Sequence, residues 1–444
     1  MLTASEPGTL ERPTGVARRV YFMHVPKAGG TTLNRYLWQH VHQDRIGRAT
    51  DVLRPARDQL AGGQEIDVSE VVARYDCISG HNCLDNLVPD DFLRVTVVRE
   101  PVARLESRAN HWRTLTDEEI AAYPMEEERK AVFRSFRGMT TDEMLARTDV
   151  KNISSELYDA MTKAFVRRMP PRRRHETMTL DEMIEEALAR LARIPVVGIQ
   201  ERYDDALRLI SFHTGWTPPT GMEPHNVRRG GAGAGQASGA VENAIRGDRE
   251  VYELGRRRFE TQWAFMLEAL GLAPGAGAEE VDAALLDDVS RRFVASGPGE
   301  RPREVSLGML EGVRGAGWHE REGVDTDRAY RWTGPAHAAT AEFLVRPADA
   351  YRVELDVVSV IRKRNLKDAV VEINGVAMRE RRVVRAGGHD TIVAEVGGRA
   401  VGDDGFCRVC VRVPATVSHL SVLPGCGDRR LKGLAISAIR VTAV

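Results

Sequence analysis

The stretch RVYFMHVPKAGGTTL, residues 19–33, decides the fold of this 444-residue chain. Val20, Phe22 and Val25 have the alternating spacing of a buried strand, and the apolar residues that follow Thr31 have helical spacing. The turn between these segments reads Pro-Lys-Ala-Gly-Gly. A strand, a glycine-containing turn and a helix start together present free backbone N–H groups to anions. The stretch therefore predicts an anion-binding turn.

The side chains of this turn suit a phosphate group. Lys27 supplies a mobile positive charge, and Gly29 and Gly30 let the backbone approach a ligand closely. Thr31 and Thr32 add hydroxyl donors. The turn is not a Walker A loop, because there the lysine comes directly before the hydroxyl residue that starts the helix. A plain turn without a ligand is the alternative interpretation.

Strands alternate with helices through the first 270 or so residues. RVTVV (94–98) and VVGI (196–199) are typical of buried strands. Pro101 is placed for a first helical turn, Asp181 can cap a further helix, and residues 247–270 have helical spacing. This alternation predicts an α/β fold, with a parallel sheet covered by helices on both faces.

The character of the chain changes after about residue 300. Short β-rich runs such as YRVELDVVSVI and CRVCVRVP are separated by Gly, Pro, Asn and Asp, and Asn374-Gly375 is a hairpin signal. These runs predict an all-β sandwich. The predicted division of the chain is a flexible N-terminus at 1–18, an α/β domain at 19–272, a linker or helix at 273–300 and a β-sandwich domain at 301–444.

Composition limits the classes of function. The net charge of −1 offers no global attraction to nucleic acid or anionic lipid, so anion recognition must be local. No apolar run reaches about 18 residues and the N-terminus has no apolar signal segment, which predicts neither a membrane span nor a signal peptide. Five scattered cysteines favour free thiols in a reducing compartment, and we expect a cytoplasmic protein.

Two motifs resemble one enzyme family. HVPKAGGTTL resembles the 5′-phosphosulfate-binding loop of sulfotransferases that use 3′-phosphoadenosine 5′-phosphosulfate (PAPS). The similarity is to the carbohydrate group that includes heparan sulfate 2-O-sulfotransferases and bacterial homologues. In that family an arginine at a strand end and a serine eight residues later hold the 3′-phosphate, and VTVVREPVARLESRANHW has Arg99 and Ser107 at this separation. An arginine beside a phosphate can make a bidentate contact.

Weaker matches extend the resemblance over residues 19–270. VGIQERYDDALRLI and GDREVYELGRRRF resemble later family segments, and HNVRR (225–229) stands where relatives have an asparagine- and arginine-bearing loop near the nucleotide. The resemblance implies a sulfotransferase fold, which is P-loop-like, and a donor-binding set. That set is Lys27, Ala28, Gly29, Gly30, Thr31, Thr32, Arg99, Ser107, Asn226 and Arg228.

The implied reaction is an in-line displacement at sulfur. It requires an activated hydroxyl, a stabilised leaving phosphate and tight positioning, and it needs no metal in principle. Lys27 is the candidate for neutralising the departing phosphate. The resemblance implies that His81, after Gly80 in ISGHNCLDNL, is the general base, and histidine has a suitable pKa. A satisfied core histidine is the alternative.

The acceptor stays open at this point. Relatives often carry aromatic residues after the catalytic histidine, whereas this chain has Asn82, Cys83 and Leu84. Asp85 or Asn82 could orient His81. The basic run RRMPPRRR (167–174) could meet an acidic sugar or be a solvated loop.

Three further features allow two interpretations each. Trp318 and Trp332 could form a sugar-stacking platform or belong to the core. His24 could contact a ligand, although the sheet interior or a backbone carbonyl is the more ordinary environment. Cys407 and Cys410 form a CxxC, but strand residues three apart point to opposite faces, which argues against a metal site.

The sequence therefore predicts a PAPS-dependent sulfotransferase that acts on a hydroxyl of a carbohydrate or glycoconjugate. Nucleic acid is not an expected partner, and a glycan or homo-oligomer contact through the C-terminal domain is left open. A nucleotide-dependent kinase is an alternative that the missing Walker lysine and the Arg99/Ser107 pair argue against. A catalytically inactive glycan-binding or scaffold protein is the alternative from another class.

Overall fold

A parallel sheet forms the centre of the first half of the chain. The computed structural model describes residues 10–81, 84, 87–123, 126–147, 156–167, 177–219, 238–324, 328–378, 380–386, 389–423 and 425–444. Five parallel strands are β1 (Val20–Met23), β2 (Ile46–Arg48), β3 (Cys77–Gly80), β4 (Leu93–Val98) and β5 (Val196–Ile199). Their spatial order is β2-β3-β1-β4-β5. The predicted parallel α/β sheet is confirmed.

Helices connect and cover these strands. They are α1 (Gly30–Gln39), α2 (Ala49–Ala61), α3 (Ser69–Val72), α4 (Pro101–Arg113), α5 (Asp117–Ala122), α6 (Glu127–Ser135), α7 (Thr141–Leu145), α8 (Ala160–Val166), α9 (Leu180–Leu191), α10 (Tyr203–Thr214), α11 (Gly239–Ala244), α12 (Arg246–Ala269) and α13 (Ala278–Ser296). All residues of β1 are buried, as expected for a strand covered on both faces. None of the described helices combines the length and apolar composition needed to cross a bilayer.

Helix starts show one correct prediction and one error. Pro101 opens α4 as predicted, and the Glu100 carboxylate before it accepts the N–H groups of Val102 and Ala103. The helix α9, however, is capped by Thr179 and not by the predicted Asp181. The Thr179 hydroxyl accepts the N–H of Glu182, whose carboxylate accepts the N–H of Thr179 in return. This reciprocal pair satisfies two free donors, and Asp181 lies inside the helix.

A helical layer beside the sheet has a core of its own. Trp112 of α4 stacks on Phe136 at 5.4 Å, and Phe133 of α6 packs edge-on against both rings. A buried ion pair joins this layer to the rest of the α/β domain, since Arg104 of α4 lies 3.3 Å from Asp248 of α12 with both side chains fully buried. The helices after β4 are thereby fixed to the long helix α12.

Two antiparallel sheets make up the C-terminal part. One sheet has the order β13-β14-β10-β16-β8-β7 with β6 also paired to β16, and the other has the order β12-β11-β15-β9. The strands are β6 (Glu304–Gly308), β7 (Trp318–Glu322), β8 (Tyr330–Thr333), β9 (Ala338–Leu344), β10 (Ala350–Val360), β11 (Val370–Ile373), β12 (Val376–Ala377), β13 (Glu380–Ala386), β14 (His389–Gly397), β15 (Phe406–Arg412) and β16 (Leu434–Ala443), with helix α14 (Lys363–Asp368) after β10. One apolar core lies between the sheets. The predicted all-β sandwich is confirmed.

The predicted hairpin at Asn374-Gly375 is present. These two residues join β11 to β12, and both have positive φ angles, 49° for Asn374 and 81° for Gly375. Two successive left-handed residues match the twist of the flanking strands, and Asn and Gly adopt that conformation most readily. The local sequence signal was sufficient to identify this turn.

The tryptophans of the β domain are core residues. Trp318 is 8% exposed and its indole N–H donates to the Thr340 carbonyl, while Trp332 is 2% exposed. The ammonium group of Lys432 lies 4.9 Å from the centre of the Trp332 ring. Rings buried in this way cannot present a face to a sugar, so the sugar-stacking platform considered above is wrong.

A buried carboxylate links the two halves of the chain. The side chain of Glu342 on β9 is fully buried and lies 2.8 Å from the Arg314 guanidinium and 2.9 Å from that of Arg408. It also accepts the hydroxyl of Thr217 in the α/β part, and Arg314 donates to the Gly215 carbonyl. The carboxylate therefore holds both cations where they contact the first half.

Removing the charge of Glu342 is expected to destabilise the whole protein. In Glu342→Gln the two partly buried arginines lose their fully buried counter-charge, and breaking a pair with a buried partner costs about 3 kcal/mol. The free energy of unfolding from urea titration measures this loss. The matched control is Glu395→Gln, whose partner Arg352 is half-exposed, and it should cost about 1 kcal/mol or less. Equal losses in the two variants would contradict the role given to Glu342.

Candidate functional site

The turn after β1 is built around two left-handed residues. Lys27 has a φ of 69° and Gly29 has a φ of 82°. Gly29 is the N-cap of α1, and no side chain caps this helix start. The first N–H groups of a helix without a side-chain cap are available to a ligand, and the helix dipole favours an anion there. The local geometry therefore matches the anion-binding turn that the sequence predicts.

Tyr203, at the start of α10, holds the turn from behind. Its hydroxyl donates to the Gly29 carbonyl at 2.7 Å, and a Cβ atom at Gly29 would lie 2.6 Å from its ring. Burial raises the pKa of Tyr203, so the hydroxyl stays protonated as a donor. Sequence analysis gave Tyr203 no role. The only signal was its place in VGIQERYDDALRLI, because the contact spans 174 residues.

His24 packs beneath the start of α1. Its ring stacks on Phe22 at 5.2 Å and lies 4.2 Å from the ring of His81. A Cβ atom at Gly30 would lie 1.8 Å from its Nε2 atom, so only glycine fits at this helix start. Burial lowers the pKa of His24 to about 3, with the nearby charges of His81 and Arg108 adding to the shift. His24 is therefore a neutral packing group.

His81 follows β3 directly and its side chain is exposed. Its Nδ1 atom lies 2.9 Å from the His24 carbonyl oxygen. A carbonyl oxygen only accepts hydrogen bonds, so Nδ1 carries the proton and Nε2 keeps the lone pair. Surrounding atoms still exclude part of its hydration, and this desolvation lowers the pKa of His81. A neutral imidazole with its lone pair on Nε2 can accept a proton at neutral pH.

Arg99, which follows β4, connects the second motif to the first. Its Nη1 donates to the Lys27 carbonyl at 3.0 Å, across 72 residues of sequence. Its buried Nε has no hydrogen-bond partner among the residues that the structure describes. Burial lowers the pKa of Arg99, opposed by Glu201 and Glu100, although an arginine stays charged. A buried N–H without an acceptor fits a site that takes an anion.

The sheet order explains why these groups meet. The strands β3, β1 and β4 are neighbours and parallel, so their carboxyl ends lie at one edge. His81, the Lys27 turn and Arg99 each follow one of these ends. Ligands of open α/β sheets bind at this edge, where the chain connections reverse direction. The structure thus brings together candidates that the sequence singled out separately.

The remaining predicted residues fall into three groups. Ala28 and Thr32 are buried, whereas Thr31 is exposed on the first turn of α1. Ser107 is half-buried in α4, and its role in holding the 3′-phosphate stays a prediction. Asn226 and Arg228 lie outside the described residues, as do Asn82, Cys83, Asp85 and residues 168–174 of the basic run.

Arg108 adds positive charge that sequence analysis missed. It lies on α4 with its guanidinium 2.9 Å from the Glu156 carboxylate and 5.7 Å from the centre of the Trp112 ring. Its charge contributes to the lowered pKa of His81. The helical repeat of α4 could not reveal the effect of Arg108 on His81, because that effect depends on where β3 ends relative to α4.

The described part of the chain was compared with the side-chain clusters that bind metals. Within the described ranges, no three His, Cys, Asp or Glu side chains come together as a metal site. Cys407 and Cys410 lie on β15 and are buried free thiols. The groups that the edge of the sheet offers are backbone N–H groups, cationic side chains and one imidazole lone pair.

Comparisons with known proteins do not identify a family for this chain. No family model and no curated protein matches the chain. The native structure of a family 35 carbohydrate-binding module from Clostridium thermocellum is 11% identical, with a TM-score of 0.21, covering 32% of this chain and 98% of that one. A family GH115 4-O-methyl-α-glucuronidase with specificity for decorated arabinogalactans is 13% identical, with a TM-score of 0.18, covering 77% of this chain and 39% of that one. TM-scores this low assign neither fold nor function.

Proposed function

We propose that this protein is a PAPS-dependent sulfotransferase that transfers a sulfuryl group to a hydroxyl of a carbohydrate or glycoconjugate. The observation that carries the proposal is the hydrogen bond from Arg99 to the Lys27 carbonyl. It joins the two motifs that resemble the 5′- and 3′-phosphate sites of the sulfotransferase family. A nucleotide with phosphates at both ends requires two adjacent cationic sites of this kind.

The strand order and the turn after β1 also support the proposal. We infer a P-loop-like sulfotransferase fold from the strand order β2-β3-β1-β4-β5 together with the anion-binding turn after β1. The uncapped start of α1 and the unpartnered Nε of Arg99 are donors that a phosphate could satisfy. The donor would be held by Lys27, the turn N–H groups and Arg99.

In the proposed reaction His81 acts on the acceptor and Lys27 on the leaving group. The Nε2 lone pair of His81 takes the proton of the acceptor hydroxyl, and the hydroxyl oxygen attacks sulfur. The bond between sulfur and the bridging oxygen breaks, and its electron pair leaves on the 5′-phosphate. Lys27 and the N–H groups of the turn stabilise that charge. No metal is needed for these steps.

Binding of adenosine 3′,5′-bisphosphate tests the donor site. Arg99→Ala removes a charged donor from a half-buried site, so we expect the affinity from isothermal titration to fall about 30- to 100-fold. The control Arg54→Ala removes an exposed arginine of α2 and should leave the affinity unchanged. Thermal unfolding of both variants checks that the fold is retained. Parent protein that fails to bind this nucleotide would refute the proposal.

Two further measurements separate the alternatives. A kinase should bind ATP more tightly than adenosine 3′,5′-bisphosphate, whereas the proposed enzyme should show the reverse preference. An inactive homologue would bind the bisphosphate and yet transfer no labelled sulfate to any member of a panel of sugar acceptors. The same panel would identify the acceptor class.

A further inference from the structure

A strongly basic surface lies on the β domain, far along the chain from the proposed active site. We call it the basic edge and define it by Arg362, Lys363, Arg364 and Lys367 at α14 and by Arg385 on β13, which lies on the same face of that strand as Arg381. Between residues 361 and 386 the sequence has eight Lys or Arg and three Asp or Glu, although the whole chain has a net charge of −1. The positive charge is therefore concentrated locally.

The helix and the strand form one continuous surface. The Arg381 guanidinium on β13 donates to the carbonyls of Leu366 and Lys367 in α14, the latter at 2.6 Å. Among the described strands, β13 pairs only with β14 and is thus an edge strand. The basic side chains of α14 therefore stand beside those of a strand whose outer side is open.

The charges of the basic edge are mostly not neutralised by the protein. All five side chains are exposed, and in the described part of the chain only Arg364 has a carboxylate partner, Asp368 at 3.0 Å. The nearby Glu372 is paired with Arg412 instead. Exposed cations without partners keep their full attraction for an external anion, screened only by salt.

We propose that the basic edge binds an anionic polysaccharide chain. Single-stranded nucleic acid is held by aromatic stacking platforms, and membrane surfaces are held by large apolar and aromatic side chains. Among the described side chains of β13, the exposed large apolar ones are Val383 and Val384. Repeated cations without aromatic groups suit the sulfate and carboxylate groups of a linear glycan. The choice of a glycan rests on the proposed function, whose acceptor and product are glycans.

The contacts around Glu342 explain how such binding would serve the enzyme. They fix the β domain to the α/β domain, so a glycan bound at the basic edge stays tethered to the molecule that carries the active site. Once the glycan is tethered, its encounter with the proposed active site is intramolecular, which raises the local concentration of acceptor groups there. The basic edge would then act as an exosite for a polymer.

Binding of labelled dextran sulfate and hyaluronate to the full-length protein tests this proposal. The variant Lys363→Glu/Lys367→Glu/Arg385→Glu should bind the sulfated probe at least about tenfold more weakly and with a smaller salt dependence. The matched control Arg54→Glu/Arg57→Glu/Arg74→Glu changes the net charge equally at exposed positions of the α/β domain and should bind like the parent. Unlabelled neutral dextran should not compete.

Several outcomes would overturn the proposal. Equal affinity of the two triple variants would mean that only net charge matters, and tighter binding of a 20-nucleotide single strand or of phosphatidylserine vesicles would assign another ligand class. If the charge-reversed variant unfolds, Lys363→Gln/Lys367→Gln/Arg385→Gln replaces it. Titration with adenosine 3′,5′-bisphosphate separates the two proposals, because the variant of the basic edge should bind that nucleotide normally.

Discussion

Replacing Gly30 by alanine is expected to weaken the binding of adenosine 3′,5′-bisphosphate by about 100-fold or more. The new Cβ atom would lie 1.8 Å from Nε2 and 2.1 Å from Cδ2 of His24. The His24 ring cannot easily move away, because it is held between Phe22 and His81. The backbone must shift instead, and overpacking of this kind costs about 1–3 kcal/mol before any ligand contact is lost. Isothermal titration measures the effect.

The chain supplies a matched control for this substitution. Gly239 is also the first residue of a helix, α11, but its added Cβ atom would meet no atom of the described residues within 4 Å. Gly239→Ala should therefore leave nucleotide affinity unchanged. The double variant His24→Ala/Gly30→Ala removes the clash and should bind at least about tenfold better than Gly30→Ala. Normal binding by Gly30→Ala, or no improvement in the double variant, would show that the packing argument is wrong.

Loss of His81 is expected to act on chemistry and not on donor binding. His81→Ala removes the group that accepts the hydroxyl proton, and general bases typically contribute about 10²- to 10⁴-fold in rate. We therefore expect kcat for transfer of labelled sulfate to fall by about 10³-fold, with bisphosphate affinity unchanged. His337→Ala, at an exposed histidine of the β domain, is the control. Transfer at the parent rate by His81→Ala would exclude His81 as the base.

The pH profile gives a second test of the same residue. Partial loss of hydration by the surrounding atoms lowers the pKa of His81 below the ordinary value of 6.5. The base works in its neutral form, so a lowered pKa extends activity toward lower pH. The acidic limb of kcat/KM should therefore have its midpoint below 6.5, and it should disappear in His81→Ala. A midpoint above this value, or a limb that persists in the variant, would assign the titration to another group.

Local patterns predicted the parts of the fold that depend on local physics. VVGI at 196–199, the helix start at Pro101 and the Asn374-Gly375 hairpin were predicted because burial periodicity, a fixed proline φ and left-handed turn residues act within a few positions. The strand β2 has only three residues, IGR, too few for a period to show. The cap of α9 was misassigned because Thr179 and Asp181 are both good cap residues two positions apart.

The sequence was sufficient to predict which residues belong to the candidate site, but not which contacts they make. Lys27, His81 and Arg99 could be singled out because their motifs resemble a known family. The hydrogen bonds of Tyr203 and Arg99 to the turn span 174 and 72 residues, so no local pattern carries them. The positions of Trp318 and Trp332 were ambiguous for the same reason, since aromatic side chains are common both in a core and on a binding surface. Only tertiary packing distinguishes those cases.

The buried carboxylate of Glu342 also restricts how this protein can be divided. A fragment containing only the second half would keep Glu342, Arg314 and Arg408 but lose Thr217 and the Gly215 carbonyl, leaving charged groups uncovered at a new surface. A fragment containing only the first half would lose Arg314, which donates a hydrogen bond to the Gly215 carbonyl. The β domain is therefore not expected to fold as an independent module, and the proposed glycan binding and the proposed sulfate transfer would belong to one cooperative unit.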